Sequence, residues 1–117
     1  MRTFLLVLLV LILANNCFAE QWLITAYCPC KICCGKTDGI TASGKKALEG
    51  RTCAVNWLKF GTKVNIEGLG ERIVEDRGAK SKFGDKKHHI KHIDIFFNDH
   101  KTALKFGKQW LNVEIEE

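Results

Sequence analysis

Short segments in which apolar and polar residues alternate recur along the chain after residue 19. A period of two is typical of β-strands that bury one face, and glycines and other turn formers separate the segments. Strands are predicted within six segments, at residues 21–27, 52–57, 59–70, 71–76, 92–97 and 109–117. So many short strands in under a hundred residues predict a small closed barrel, which leaves few free strand edges.

One segment between the last two predicted strands, NDHKTALKFG, has the pattern of a short helix. Asn98 or Asp99 can cap its N-terminus, Ala103 and Leu104 lie on its apolar side, and Gly107 ends it. We therefore expect an all-β domain of six strands with one short helix near the C-terminus.

The first nineteen residues resemble a secretory signal. Arg2 supplies the positive charge, Phe4–Ala14 is an unbroken apolar run, and small residues allow cleavage after Ala19. The run is well short of the ~20 residues that a membrane-spanning helix needs, so no permanent membrane anchor is expected. Lipid attachment at Cys17 is the alternative. The mature domain is predicted to cover residues 20–117.

The charge balance of the chain favours anionic partners. Lys and Arg number 18 against 13 Asp and Glu, which gives a net charge of +5. Cell-wall polymers and nucleic acids both carry negative charge. An export signal, together with basic residues that are scattered instead of interleaved with aromatic residues, argues against nucleic acid.

Five cysteines remain in the mature chain, which is an odd number. Cys28, Cys30, Cys33 and Cys34 are crowded into seven residues, and Cys53 follows later. Disulfides are the usual state of cysteines in an exported protein, and Cys53 is a candidate partner for one of the four. The alternative is a structural zinc site formed by the four clustered cysteines.

Asp94 has the sequence context of a general acid. In KHIDIFF the alternation places Ile93 and Ile95 on one face and His92 and Asp94 on the other. Apolar surroundings disfavour the charged form of a carboxyl group and raise its pKa, as catalysis near neutral pH requires. A solvated aspartate is the structural alternative.

Asp76 precedes Arg77 and Gly78, so it either stabilises a turn or supplies a charge that tunes Asp94. The preceding Glu75 is predicted to point to the opposite face of the strand and to be secondary.

Three histidines in the basic segment before the fifth strand, His88, His89 and His92, suggest a metal site at first sight. No helical or strand register presents all three to one ion, so solvent exposure in a basic loop is expected, without a metal. Deletion of Lys80–Lys91 is expected to weaken polymer binding and to leave the barrel folded.

Four hydroxyl-bearing residues are candidates for hydrogen bonds to a sugar polymer: Thr25, Tyr27, Thr41 and Ser43. Ordinary duties in strands and turns explain them equally well.

Five segments of the chain together resemble the 3D domain, a family named for three aspartates and related to membrane-bound lytic transglycosylase A. The segments follow one another as TAYCPCKICCGKTDGITASG, GRTCAVN, FGTKVNIEG, VEDRGA and HIDIFFNDHKTALKFGKQWLNVEI. The resemblance covers nearly the whole mature chain. It implies a double-psi β-barrel that acts on peptidoglycan glycan strands.

The resemblance places the family aspartates at Asn56, Asp76 and Asp94. Asn56 departs from the family and cannot titrate, but it can still bind a sugar. The segment between the last two aspartates is longer and more basic than in the family, and is expected to form an expanded loop at the rim of the site. In the resembling fold Cys53 lies opposite the cysteine loop, which implies a disulfide there.

The resemblance implies an exported lytic transglycosylase that cleaves the bond between N-acetylmuramic acid and N-acetylglucosamine and leaves a 1,6-anhydro sugar. Asp94 and Asp76 are the expected catalytic residues, Thr25, Tyr27, Thr41, Ser43 and Asn56 the expected sugar-binding residues. We expect a monomer without a cofactor. A non-catalytic glycan-binding barrel and a secreted cysteine-rich interaction protein are the alternatives, and glycan-length preference and envelope type stay open.

Overall fold

The structure of the protein is a computed structural model that describes residues 20–34 and 38–116. The predicted signal segment and Cys17 lie outside these residues. Within the two described ranges, no helix combines the length and the apolar character needed to cross a membrane.

Among the described residues, six strands form in the segments where alternation predicts them, so the expectation of a mainly β domain is confirmed. The second strand is shorter than expected, because only the first three residues of the segment 52–57 are extended in the sheet. The strands are β1 Gln21–Tyr27, β2 Thr52–Ala54, β3 Lys63–Ile66, β4 Gly70–Asp76, β5 His92–Phe96 and β6 Gln109–Glu116.

In the described part of the chain, three short helices are present where one was expected. They are α1 Lys31–Cys34, α2 Lys80–Phe83 and α3 His100–Phe106. The predicted helix is α3: the Asp99 side chain accepts a hydrogen bond from Thr102 N at 3.1 Å, and Gly107, with φ of 66°, ends it. The other two helices are only four residues long, too short to leave a periodic pattern in the sequence.

The six strands form one sheet that closes on itself, in the order β1-β5-β2-β4-β3-β6, with β6 returning to β1. The β1–β5 and β2–β4 pairs are parallel, and the other pairs are antiparallel. Closure satisfies the backbone groups that an open sheet would leave at its edges.

One face of every strand supplies the interior of the barrel. Trp22 and Ile24 of β1 and Ile93 and Ile95 of β5 are buried there, as the alternation predicts. The alternate residues of these two strands therefore lie on the other face, where Leu23, Thr25, His92 and Asp94 line a cavity.

A β-bulge changes the direction of the side chains at the end of β4. Cys53 is opposite Val74, but Ala54 is opposite Asp76, so Glu75 is an extra residue on β4. Strict alternation would direct Asp76 to the same face as Val74, which is in the core. The bulge instead places Asp76 at the cavity.

Candidate active site

The strand register aligns the site residues in one row across four neighbouring strands. Thr25 on β1 is opposite Asp94 on β5, Asp94 is opposite Ala54 on β2, and Ala54 is opposite Asp76 on β4. All four line a cavity of about 860 Å³. Two strand spacings of ~4.8 Å separate the Cα atoms of the two aspartates by roughly 10 Å. The small side chain of Ala54 leaves the space between them open.

The environment of Asp94 is that of a general acid. Its pKa is raised from 3.8 to about 6, chiefly by burial and further by the negative charge of Asp76. A hydrogen bond that Thr25 Oγ1 donates to Asp94 Oδ1 at 2.9 Å opposes this shift, as does the positive charge of Lys82. The Asp94 carboxyl can therefore hold or release a proton close to neutral pH.

His92 extends the hydrogen bonding of Asp94, a role that the sequence did not reveal. Its Nε2 lies 2.8 Å from Thr25 Oγ1, and its Nδ1 lies 3.1 Å from the carbonyl oxygen of Lys82. A carbonyl only accepts, so Nδ1 carries a hydrogen. The expectation that His92 is exposed in a loop is wrong, because this residue is buried in β5.

The Thr25 hydroxyl has one hydrogen, so it can donate to Asp94 or to His92 but not to both at once. When Asp94 is protonated, it donates to Thr25 and Thr25 donates to a neutral His92. When Asp94 is ionised, Thr25 donates to the carboxylate, and Nε2 of His92 donates to Thr25 only if the imidazole ring is protonated. Burial lowers the pKa of His92 and so favours the arrangement with the proton on Asp94.

Asp76 is held by three donors. Tyr27 Oη donates to Oδ2 at 2.8 Å, and the backbone N–H groups of Ala42 and Arg77 each donate to Oδ1 at 2.9 Å. These bonds fix the carboxylate at the edge of the cavity. They also join the segment that contains Ala42 to the end of β4.

Glu75 is buried and takes no part in the lining of the cavity as described. Its Oε1 accepts hydrogen bonds from Thr52 Oγ1 at 2.7 Å and Arg51 Nε at 3.0 Å. The bulge residue is thus fixed by an ion pair in which the carboxylate is buried and the Arg51 side chain is partly exposed.

Two of the four predicted hydroxyl-bearing residues, Thr25 and Tyr27, line the cavity. Thr41 and Ser43 are not among its described lining residues, because they build the neighbouring turn. Thr41 Oγ1 lies 2.9 Å from Ser43 Oγ and donates to the Lys45 carbonyl at 2.8 Å. Their position assigns them to presenting the backbone N–H of Ala42 to the site.

Asn56 is positioned as a structural residue. Its Nδ2 donates to the carbonyl oxygens of Gly78 and Gly84 at 2.9 and 2.8 Å, and its Oδ1 accepts from Gly78 N at 2.7 Å. Both amide hydrogens are therefore used, and Asn56 is not among the described residues that line the cavity. Asn56 closes the segment that contains α2, and its contact with sugar stays a prediction.

The basic segment after Asp76 lies at the rim of the site, as expected, but it is more than a solvated loop. Lys82 and Phe83 line the cavity, and the Phe83 ring is buried and stacked on His92 with 3.9 Å between ring centroids. The expectation that Lys80–Lys91 could be removed without affecting the fold is therefore corrected. His88 and His89 are exposed, as predicted.

Cys53 does not form the predicted disulfide. It is a free thiol in the core, paired through its backbone with β4 and β5, and burial raises its pKa to about 12. Cys28 and Cys30 instead lie beside His100, at the start of α3. The side chains of Cys33 and Cys34 lie outside the described residues.

No family model matches the chain. The chain is similar to a protein of Bacillus subtilis strain 168 that bears the provisional name cell wall shaping protein YabE, with 32% identity over 87 residues. The match covers 70% of this chain and 20% of that protein, so the chain spans about a fifth of the length of the relative.

Proposed function

We propose that this chain is an exported 3D-type domain that cleaves peptidoglycan glycan strands as a lytic transglycosylase. The observation that carries the proposal is the pair of carboxylates across Ala54, in which Asp94 has a pKa raised to about 6 and faces a cavity. The name of the Bacillus subtilis relative supports a role at the cell wall. The closed sheet with two parallel pairs supports the double-psi form of the barrel.

The first step uses the proton of Asp94. The carboxyl group donates it to the glycosidic oxygen between N-acetylmuramic acid and N-acetylglucosamine, the C1–O bond breaks, and positive charge develops at C1 of the muramic acid ring. Thr25 keeps the carboxyl oriented, and it donates to Asp94 Oδ1 once the proton has left.

The second step returns the proton to Asp94. The carboxylate takes the proton of the C6 hydroxyl of the same muramic acid residue, and the C6 oxygen bonds to C1 to give the 1,6-anhydro sugar. No water enters the product, and the acid is regenerated. One titrating group with a pKa near the working pH suffices for both steps.

Asp76 acts on this chemistry through its charge and position. Its negative charge helps to keep the pKa of Asp94 high, so that the acid is protonated when substrate binds. Its carboxylate oxygens, oriented by Tyr27 and two backbone amides, also provide acceptors for sugar hydroxyls at the cavity edge.

The test is digestion of purified sacculi with the purified protein, followed by mass spectrometry of the released fragments. The proposal is supported if the wild-type protein releases fragments with 1,6-anhydro ends and the Asp94→Asn variant does not. Reducing ends would indicate a hydrolase and would overturn the transglycosylase mechanism. Activity of the Asp94→Asn variant equal to that of the wild type would remove Asp94 as the acid.

A non-catalytic glycan-binding barrel is the second candidate, favoured by Asn56. The position where the resembling family has an aspartate is here an amide whose donors bond to backbone carbonyls. A binder would sediment with sacculi and release no fragments, so the same digestion distinguishes the two functions.

A further inference from the structure

Two cysteines at the end of β1 and one histidine at the start of α3 converge in space. Cys28 Sγ and Cys30 Sγ are 3.0 Å apart, and His100 Nδ1 lies 3.3 Å from the first and 3.4 Å from the second. The described residues contain no other cluster of three histidine, cysteine or carboxylate groups as close together as these. The Cys28 side chain is buried, so the cluster is shielded on one side.

We propose that Cys28, Cys30 and His100 form a structural zinc site. Thiolate and imidazole are the ligands that Zn²⁺ prefers, at bond lengths of ~2.3 Å to sulfur and ~2.0 Å to nitrogen. A tetrahedron with these bonds separates its ligand atoms by roughly 3.5–3.8 Å. The three atoms of the cluster would have to move apart by less than about 1 Å to hold the ion.

The histidine distinguishes a metal site from a disulfide. A bridge between cysteines uses sulfur atoms alone and gives no reason for an imidazole nitrogen to face both of them. His100 lies 72 positions after Cys28 in the sequence. Asp99 caps α3 and so fixes the position of His100 in the first turn of that helix. Two independent elements therefore direct ligand atoms to one point.

The fourth ligand of the proposed zinc ion can be identified by substituting candidate residues. Structural zinc sites have four protein ligands, and the three described residues leave one position of the tetrahedron. Cys33 and Cys34 follow Cys30 by three and four residues in the sequence, at the end of α1. Substitution of each remaining cysteine tests for the fourth ligand.

The ion would have a structural consequence for the active site. It would join the end of β1 to the start of α3, and Cys28 directly follows Tyr27, whose hydroxyl orients Asp76. Zinc binding displaces protons from the thiols, and its free energy adds to the free energy of unfolding because the unfolded chain has no preformed site.

The test is the metal content of the full exported chain, purified without chelator and analysed by inductively coupled plasma mass spectrometry. We expect one zinc ion per chain, and its loss in the variants Cys28→Ser, Cys30→Ser and His100→Ala. The controls His89→Ala and Cys53→Ala should keep the ion. A further cysteine whose substitution by serine releases the ion would be the fourth ligand.

A second measurement covers variants that fail to fold. Cobalt added to the metal-free wild-type protein should give the visible absorption of a tetrahedral thiolate complex, and zinc should abolish it. Two results would overturn the proposal: full zinc retention by His100→Ala, or a metal-free chain whose mass is lower by two hydrogens for each disulfide. Neither result depends on glycan cleavage, so the proposed function is tested separately.

Discussion

At the scale of single residues, the proposed chemistry depends on opposing influences on the pKa of one carboxyl group. Burial and the charge of Asp76 raise the pKa of Asp94, whereas the hydrogen bond from Thr25 and the charge of Lys82 lower it. Each influence comes from a different side chain, so each can be removed separately.

The substitutions Asp76→Asn and Thr25→Val should shift the pH profile of glycan cleavage in opposite directions. A general acid must be protonated, so activity falls as pH rises through the pKa of Asp94, about 6. Without the charge of Asp76 this pKa falls, and the decline moves to lower pH. Without the Thr25 hydroxyl the carboxylate loses a donor, the pKa rises, and the decline moves to higher pH. Rates of sacculus digestion between pH 4 and 8 measure both shifts, and shifts in the same direction would contradict this account.

Asp94→Asn should stabilise the fold at neutral pH while it lowers activity by ~100 to 10,000-fold. Between the unfolded pKa of 3.8 and the folded value of about 6, the native state binds more protons than the unfolded state, so wild-type stability falls as pH rises. The shift corresponds to at most about 3 kcal/mol. Urea unfolding should give a higher free energy of unfolding for the variant than for the wild type at pH 7, and this difference should shrink towards pH 4.

Asp85→Asn provides a control, because the pKa of Asp85 is lowered whereas that of Asp94 is raised. The backbone N–H of His88 and the Lys80 ammonium are the main causes of the low pKa of Asp85. The stability that this carboxylate contributes is present above the unfolded pKa and is lost as pH falls. This variant should therefore be less stable than the wild type at pH 7 and approach it in acid; the same pH trend in both variants would exclude site-specific pKa shifts as the cause.

At the scale of elements, the site depends on how neighbouring segments are fastened to the barrel. Asn56 bonds to both Gly78 and Gly84 and so closes the segment that contains α2. Gly78 has no room for a side chain, because a Cβ atom there would lie 2.2 Å from the Phe83 ring. The position of Phe83 against His92 depends on both contacts.

Asn56→Asp should destabilise this segment even though it restores the residue of the resembling family. An ionised carboxylate offers no hydrogen to the carbonyls of Gly78 and Gly84, and loss of these two partly buried hydrogen bonds should cost about 1–3 kcal/mol in total. Protonation returns one donor, so thermal unfolding should show part of the loss recovered in acid. Asn56→Ala should show no such recovery, and equal pH trends in the two variants would contradict the assignment.

The alternation of residues sufficed to predict six strands, the α3 cap and the faces of β5, because these depend on neighbours in the sequence. The bulge at Glu75 could not be predicted from the sequence, since it is defined by the pairing of β4 with β2. His92 and His100 were missed for a related reason. Their partners lie 67 and 72 positions away, and no local pattern encodes such contacts.

At the scale of the whole molecule, the net charge is positive and lysine side chains lie at the cavity. Lys82 and Lys108 line it, and the net charge of the chain is +5. Peptidoglycan, the proposed substrate, carries anionic groups, so electrostatic attraction should guide it to the site and should weaken with salt.

The double variant Lys82→Gln/Lys108→Gln should bind sacculi more weakly at low ionic strength and depend less on salt than the wild type does. Lys59→Gln/Lys101→Gln removes the same charge from residues that are not among the described lining of the cavity. Sedimentation assays from about 0.01 to 1 M salt, where the screening length falls from ~30 to ~3 Å, compare the two. An equal loss in both variants would mean that total charge matters and its location does not.

The bulge in β4 makes strand register, and not only residue identity, a requirement of the site. Regular pairing of the unchanged sequence would place Glu75 opposite Ala54 and direct Asp76 to the face that now contains Val74, in the core. The Asp76 carboxylate would then be buried and lost from the cavity. Any transfer of this site to another barrel must therefore move β2 and β4 as a matched pair, because a graft that copied the aspartates without the bulge would reproduce the composition of the site and not its geometry.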